Sequence, residues 1–325
     1  MTLNHAQDLS LPIERLYTEL VDAVASDSRF EGQFTSNLKW AESLFAQREA
    51  LLNLLTAGRP SSKQALTRLN SRLMLQSRWL FQRLNQFIVL SERDLRRLEV
   101  LVSDWLEALR GAVLEAKSAV ECLELLEPFS ARHVRELATL LARSAHPDIR
   151  IRSEEYSAET QLEVLRLQTT TLAPPVLDIG CGRDAALVKW FRSKNINAVG
   201  FDLFDSATLG CLLADWFEFP FMPEQFGTVI AHLSFSLHFL HQHLRPDGDA
   251  KRYALQYMTI LRSVKHGGCF AYTPGLPFIE GLLPSDQYTV MKYEMDSLPI
   301  DEQAMGIFAQ GLGESPIYAC HVVRR

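Results

Sequence analysis

The sequence predicts an α/β protein: a doubly wound, mostly parallel sheet with a C-terminal antiparallel hairpin, preceded by an all-α helical domain. Three observations carry this. From about residue 10 to about 170 apolar residues recur at three- and four-residue spacing, and glycine is rare. From Pro174 onward short apolar runs alternate with helix-forming stretches, as in a parallel sheet covered on both faces. Between the two textures, residues 176–184 read Val-Leu-Asp-Ile-Gly-Cys-Gly-Arg-Asp, a strand that passes an acid, enters Gly-x-Gly and leads into a helix. A chain of 325 residues with 47% hydrophobic content can bury two cores. The expected division is 1–150 for the helical bundle and 151–325 for the α/β domain.

In the first half, Leu66, Leu69, Leu73, Leu80, Leu84 and Phe87 form one helical stripe, and Leu95, Leu98, Val102, Trp105 and Leu109 form a second. Ser91, three residues before Asp94, reads as an N-cap, so the stripes predict a helical hairpin bent near Val89 and Leu90. Further helices are expected around 11–26, 35–57, 112–126, 130–145 and 157–168. The short runs favour an intramolecular bundle over an intermolecular coiled coil. Between Ala50 and Ser91 there is no acid, while Arg59, Lys63, Arg68, Arg72, Arg78 and Arg83 all occur. Either these cations face carboxylates of neighbouring helices, such as Glu42, Glu49, Glu107 and Glu115, or Arg68, Arg72 and Arg78 hold an anionic substrate, with Arg72 at its centre.

In the second half the order is VLDIG, then DAALVKWFRSK, AVGFD, a segment ending LLADW, FGTVIAHL, a helix from about Asp249 to Val264, and GGCFAYT. The runs YTVMKYEM and IYACHVVRR, with LGESP between them, predict the closing antiparallel pair. In such a sheet ligands sit at the carboxyl ends of the strands, where the strand order reverses. Gly180 and Gly182, having no Cβ, let a ligand approach the main chain, and the helix that follows adds free N–H groups. Asp202, closing the second strand, can accept from vicinal ribose hydroxyls. Asp215 beside Trp216, after the third strand, can meet an adenine amino group and cover its ring. Gly180, Gly182 and Ala185 also satisfy the loose dinucleotide pattern G-x-G-x-x-A, which keeps a nicotinamide-dependent oxidoreductase open. Asp178 opposes it, because a carboxylate there would crowd a pyrophosphate but suits a ligand with an amino group.

At these residues the chain resembles class I S-adenosylmethionine-dependent methyltransferases, whose first motif is acid-x-Gly-x-Gly. The resemblance runs from about Pro174 to Val323 through VLDIGCG, VGFD, ADWFEFPF, FGTVIAHLSFSLHFL and SVKHGGCFAY. It implies a Rossmann-like core. It also implies that Asp178, Gly180, Cys181 and Gly182 surround the methionine part of the donor, Asp202 and Leu203 the ribose, and Asp215 with Trp216 the adenine, with His232 near the methionine. The family often has a third glycine where this chain has Asp184, which is expected to cap the following helix. The acceptor is expected among Ser234, Ser236, Thr273, Tyr156 and Arg72. His238, with His241 three residues on, is the expected general base and partner, although both can equally be polar residues of an ordinary helix. A metal site of His238, His241 and His243 is disfavoured, because His243 should point elsewhere and no carboxylate completes the set. The apolar loop Thr273–Phe278 and the absence of Asn-Pro-Pro-Tyr favour methylation of oxygen on a small molecule.

The net charge of −6 and pI near 5.9 argue against general nucleic-acid or membrane binding. Cys122, Cys181, Cys211, Cys269 and Cys320 show no CxxC pair, which fits a reducing compartment. With no signal-like N-terminus and no run of eighteen apolar residues, the expected location is cytoplasmic. The helical half is expected to cap the cleft, bind substrate or form a homodimer. A non-catalytic partner protein that keeps the donor for stability is the remaining alternative.

Overall fold

The computed structural model describes residues 3–26, 42, 45–56, 60–88, 90–144, 151–168, 170 and 172–325. The chain divides into two units, Met1–Pro147 and Asp148–Arg325.

The first unit contains α1 (Leu3–Ser26), α2 (Arg48–Leu55), α3 (Pro60–Leu84), α4 (Glu92–Glu115) and α5 (Ala119–Ser144). Leu69, Leu73 and Leu80 of α3 share one core with Leu98, Val102, Trp105 and Leu109 of α4 and with Leu16, Tyr17 and Leu20 of α1. Ser91 caps α4, its hydroxyl accepting from the Asp94 N–H at 3.2 Å. Val89, at the expected bend, lies outside the described residues, as do Arg59 and part of the helix expected over 35–57.

Two boundaries differ from expectation. The helices expected over 112–126 and 130–145 are instead the end of α4 and a single α5 that runs through Pro128. The break falls after Glu115, where Ser118 Oγ accepts from the Glu121 N–H at 3.2 Å and Glu121 Oε2 accepts from the Lys117 N–H at 2.7 Å. This reciprocal Ser-x-x-Glu cap starts a new helix there. Pro128 removes one helical hydrogen bond, but Cys122 and Leu126 before it and Leu137 and Leu140 after it are buried in the same core and hold the helix together.

Two members of the arginine-rich stretch meet carboxylates on α1, which packs on α3. Arg72 donates to Glu14 at 2.9 Å, and Arg83 lies 3.7 Å from Asp22 and over the Trp79 ring. Glu107 is instead the partner of Arg110 on its own helix.

Inside this core the Tyr17 hydroxyl lies 2.8 Å from Ser77 Oγ and 2.9 Å from His133 Nε2. Burial holds the His133 imidazole down to about 4, so it is neutral in the folded protein. The unfolded chain, with an ordinary histidine, binds a proton more readily, so this contribution is complete above about pH 6.5 and is lost as the pH falls toward 4. We expect the unit to lose about 2 kcal/mol from this residue between pH 7 and 5. In His133→Gln, thermal unfolding measured at the two pH values should show a correspondingly smaller difference.

The second unit opens with α6 (Ala158–Val164), capped by Ser157, and continues as β1 (Val176–Ile179), α7 (Ala186–Ser193), β2 (Ala198–Asp202), β3 (Cys211–Leu213), β4 (Phe226–His232), α8 (Phe235–Leu244), α9 (Ala250–Ser263), β5 (Val264–Thr273), α10 (Pro277–Glu280), β6 (Tyr288–Glu294), α11 (Glu302–Leu312) and β7 (Tyr318–Arg324). Among the described residues these strands form one sheet of order β3-β2-β1-β4-β5-β7-β6. β1 to β5 pair in parallel, and β7 lies antiparallel between β5 and β6. The closing pair is therefore not a simple hairpin across LGESP, since α11 is inserted between its strands. α6 ends at Val164, earlier than the expected 168, and Arg166 takes φ 52°.

The order reverses between β1 and β4, which sets the crevice at their carboxyl ends. The register puts Asp178 level with Gly200 and Ile230, and His232 level with Thr273. Side chains alternate along each strand, so Asp178, Asp202, His232 and Thr273 share one face of the sheet. Lower on that face, Val176, Ala198 and Ile230 pack under Leu162 of α6 and Leu187 and Phe191 of α7. Phe270 and Tyr272 point the other way and meet Tyr257 of α9. Both faces are thus covered in the centre, as a doubly wound sheet requires. No helix of the described residues is long and apolar enough to cross a membrane.

Candidate functional site

The crevice is built around the glycine turn. Gly180 and Gly182 adopt φ 71° and 70°, open to glycine at little cost. A Cβ on Gly180 would also lie 2.6 Å from Ser234 Cβ, so the turn needs the missing side chain as well as the angle. The N–H groups of Gly180 and Cys181 donate to Phe201 O at 2.9 and 3.1 Å. The Gly182 N–H donates to Asp202 Oδ2 at 3.0 Å, and the Phe204 N–H donates to Asp202 Oδ1 at 3.0 Å. Asp202 therefore closes the turn and shapes the loop through Leu203. Burial pushes its carboxyl upward, opposed by these N–H donors.

Asp178 is 2% exposed, and its Oδ2 has no hydrogen-bond partner. Burial, with a smaller push from Asp202, raises its carboxyl to about 7. A buried, unpartnered acid is costly unless a ligand supplies the missing charge or donor. Cys181, between the glycines, is buried, and its thiol is raised by desolvation, which leaves it unreactive.

On the β3 side, Asp215 Oδ1 accepts from the Phe217 N–H at 2.7 Å and so forms the turn that carries Trp216. The indole packs edge-on to Phe235 and His238. On the β4 side, His232 is 8% exposed, its Nε2 lacks a partner, and burial lowers it to about 4. The Tyr156 ring stands edge-on to it at 5.2 Å, anchored by a hydrogen bond from its hydroxyl to Pro299 O. Burial pushes the Tyr156 hydroxyl up to about 12.

The other expected residues divide by what they already bind. Ser234 Oγ donates to Ile179 O at 2.6 Å, Ser236 Oγ to Thr273 O at 2.7 Å and Thr273 Oγ1 to Tyr318 O at 3.2 Å. The first two hydroxyls tie the β4–α8 turn to β1 and β5, and the third ties β5 to β7, instead of offering free donors. His238 is held against Trp216 with its ring lowered to about 4 by burial, and His241 is 1% exposed within α8. His243 stacks on Phe278 at 3.6 Å, away from any common ligand point. Arg72 belongs to the helical unit and is paired with Glu14 there.

Asp184 does not cap α7. The flanking residue is Ala185 at φ 46°, with no side-chain cap, and the carboxylate at this place comes from Glu155. Glu155 Oε1 accepts from the Arg183 N–H at 2.9 Å and Oε2 from the Asp184 N–H at 2.8 Å. Twenty-odd residues of separation, with no motif spacing, hide this contact in the sequence.

Glu280 is a second residue that pattern reading misses. It is 3% exposed and accepts from the Tyr272 hydroxyl at 2.9 Å, the Leu276 N–H at 2.6 Å and the Tyr318 hydroxyl at 2.6 Å, with Lys292 Nζ at 3.0 Å. Gly275 makes room for this, since a Cβ there would fall 2.0 Å from the Tyr318 ring. The network pins the loop after β5 to β7. Glu280→Ala strands two buried hydroxyls and an amide, and we expect a loss of roughly 3 to 5 kcal/mol in denaturant unfolding. Glu280→Gln should lose less.

No family model and no curated protein matches the sequence. Among solved structures, a methyltransferase dependent on S-adenosylmethionine from Archaeoglobus fulgidus is 14% identical over 46% of this chain and 85% of that one, with a TM-score of 0.29. One from Mesorhizobium loti is 15% identical over 52% and 98%, with a TM-score of 0.35. The glycopeptide N-methyltransferase MtfA, complexed with S-adenosylhomocysteine, is 14% identical over 52% and 88%, with a TM-score of 0.27. The fold assignment rests instead on strand order and the site. A sheet of order 3-2-1-4-5-7-6 with β7 antiparallel, a glycine turn after β1 behind a buried acid, and a second acid closing β2 give the C-terminal unit a doubly wound, Rossmann-like α/β fold.

Proposed function

We propose that this protein is an S-adenosylmethionine-dependent methyltransferase acting on a small molecule, with oxygen the favoured acceptor atom. The observation that carries the reading is the unpartnered Asp178 carboxylate, buried on the same face as Asp202 at the glycine turn. Two acids with no cation between them suit a donor bearing an ammonium group and a pair of ribose hydroxyls. They would repel a pyrophosphate, which weighs against the nicotinamide alternative.

In this reading Asp178 holds the donor's ammonium, Gly180, Cys181 and Gly182 border its methionine part, Asp202 and Leu203 the ribose, and Asp215 with Trp216 the adenine. His238 supports the indole, and His241 lies behind it on α8. The bound donor supplies a methyl group on a sulfonium, whose displacement needs alignment and exclusion of water more than acid or base help. Ser234, Ser236 and Thr273 provide that alignment by fixing the walls, and Tyr156 covers the β4 side. The helical unit is read as a dimerisation or substrate-binding domain.

Titration calorimetry with S-adenosylhomocysteine and with NADH tests the donor. We expect the first to bind and the second not to, and Asp202→Ala to weaken the first by tenfold or more, about the worth of one charge-assisted hydrogen bond. Tight NADH binding in place of S-adenosylhomocysteine would sink the reading. Asp178 adds a pH test. Its carboxyl near 7 must ionise to pair with the donor's ammonium, so affinity should rise from pH 6 to 8, with a proton released on binding. Calorimetry in buffers of different ionisation enthalpy measures that proton, and Asp178→Asn should abolish both effects.

A further inference from the structure

We propose that His232 faces the transferring methyl and takes the proton of the methyl acceptor, which is accordingly a hydroxyl or an amine. The inference rests on the donor reading above and assigns the proton-accepting role to the end of β4 in place of the α8 histidines.

Position comes first. Ile230 is level with Asp178, and His232 lies two residues further on the same face, at the carboxyl edge of the sheet. It therefore stands beyond the acid that meets the donor's ammonium and across from Asp202. The next residue, Leu233, takes φ 50°, a left-handed angle that costs a non-glycine residue energy and that its surroundings must enforce. They do so through the Leu233 N–H, bonded to Thr273 O at 2.9 Å, and through Ser234 Oγ, bonded to Ile179 O. This strained turn fixes the end of β4 where His232 sits.

Vacant bonding capacity comes second. His232 Nε2 is buried with no hydrogen-bond partner, like Asp178 Oδ2 in the same crevice. The neighbouring Tyr156 ring stands T-shaped to the imidazole, and its hydroxyl is committed to Pro299 O. His238 and His241 lie further on, within α8, and His238 is packed against the Trp216 ring. Burial keeps His232 neutral, so one ring nitrogen is an acceptor.

The step balances. A lone pair on the acceptor atom forms the bond to the methyl carbon, and the carbon–sulfur bond breaks with its electron pair left on sulfur. The acceptor's proton passes to His232, which later releases it to water. A hydroxyl oxygen becomes strongly acidic as the methyl bonds to it, so a weak neutral base is sufficient.

The test uses the full chain and two donor analogues. Sinefungin carries an amine-bearing carbon where the methylated sulfur would be, whereas S-adenosylhomocysteine has nothing beyond the sulfur. In calorimetry His232→Leu should weaken sinefungin about tenfold and leave S-adenosylhomocysteine within about twofold, and His232→Gln, which keeps an acceptor, should recover part of the loss. In the wild-type protein, the ¹⁵N resonance of His232, identified by its absence in the variant, should shift with sinefungin and hold still with S-adenosylhomocysteine. Equal loss of both ligands, no loss of either, or an unmoved resonance would overturn the assignment. Failure of both analogues to bind the wild type would overturn the donor reading and this inference with it.

Discussion

The carboxyl end of β1 is held by a small set of hydrogen bonds on which the rest of the site depends. Gly180 and Cys181 donate to Phe201 O, Gly182 donates to Asp202, and Ser234 donates to Ile179 O. Together they join β1, β2 and the β4–α8 turn at one point. Each bond requires a backbone path that only the two glycines can follow cheaply, and the Ser234 contact leaves no room for a Cβ at Gly180. With that junction fixed, the acids and His232 are aimed by strand register alone.

Polar groups in this unit fall into two kinds, and the difference separates scaffold from site. Glu280 has its acceptor capacity filled by two tyrosine hydroxyls, a main-chain N–H and Lys292, so it stabilises a loop and leaves nothing for a ligand. Asp178 and His232 are also buried, yet each keeps an atom without a hydrogen-bond partner. Proteins rarely tolerate such groups away from ligand sites, because an unmet buried polar atom costs roughly 1 to 3 kcal/mol. These two border one crevice, at the carboxyl ends of β1 and β4. Glu155 adds a further constraint, since its carboxylate occupies the Arg183 and Asp184 N–H groups and raises the local negative charge around the turn. Anionic ligands are disfavoured there as a result.

The helical unit follows a simpler logic. Its stripes of leucine pack into one core, and a buried polar cluster, Tyr17 with Ser77 and His133, joins three helices where burial favours the neutral imidazole. The arginines of α3 are explained in part by α1, whose Glu14 and Asp22 meet Arg72 and Arg83. A run of cations without nearby acids in sequence is thus partly neutralised by acids far away in the chain.

What the sequence determined by itself was whatever local chemistry controls. Hydrophobic period separated helices from strands, Ser91 marked a helix start, and the acid, glycines and second acid marked the crevice, because turn geometry and burial leave a direct imprint on residue type. Its errors were of the same local kind: a helix boundary was expected between 126 and 130 and a cap at Asp184, although packing carries α5 through the first and Glu155 replaces the second. Only the tertiary structure decided which polar atoms are already satisfied. It committed Ser234, Ser236 and Thr273 to main-chain carbonyls, set His238 against Trp216, assembled the Glu280 network and left His232 with an open nitrogen. The reason is physical: hydrogen bonding and desolvation are set by neighbours brought together across many residues, and no spacing rule along the chain encodes them.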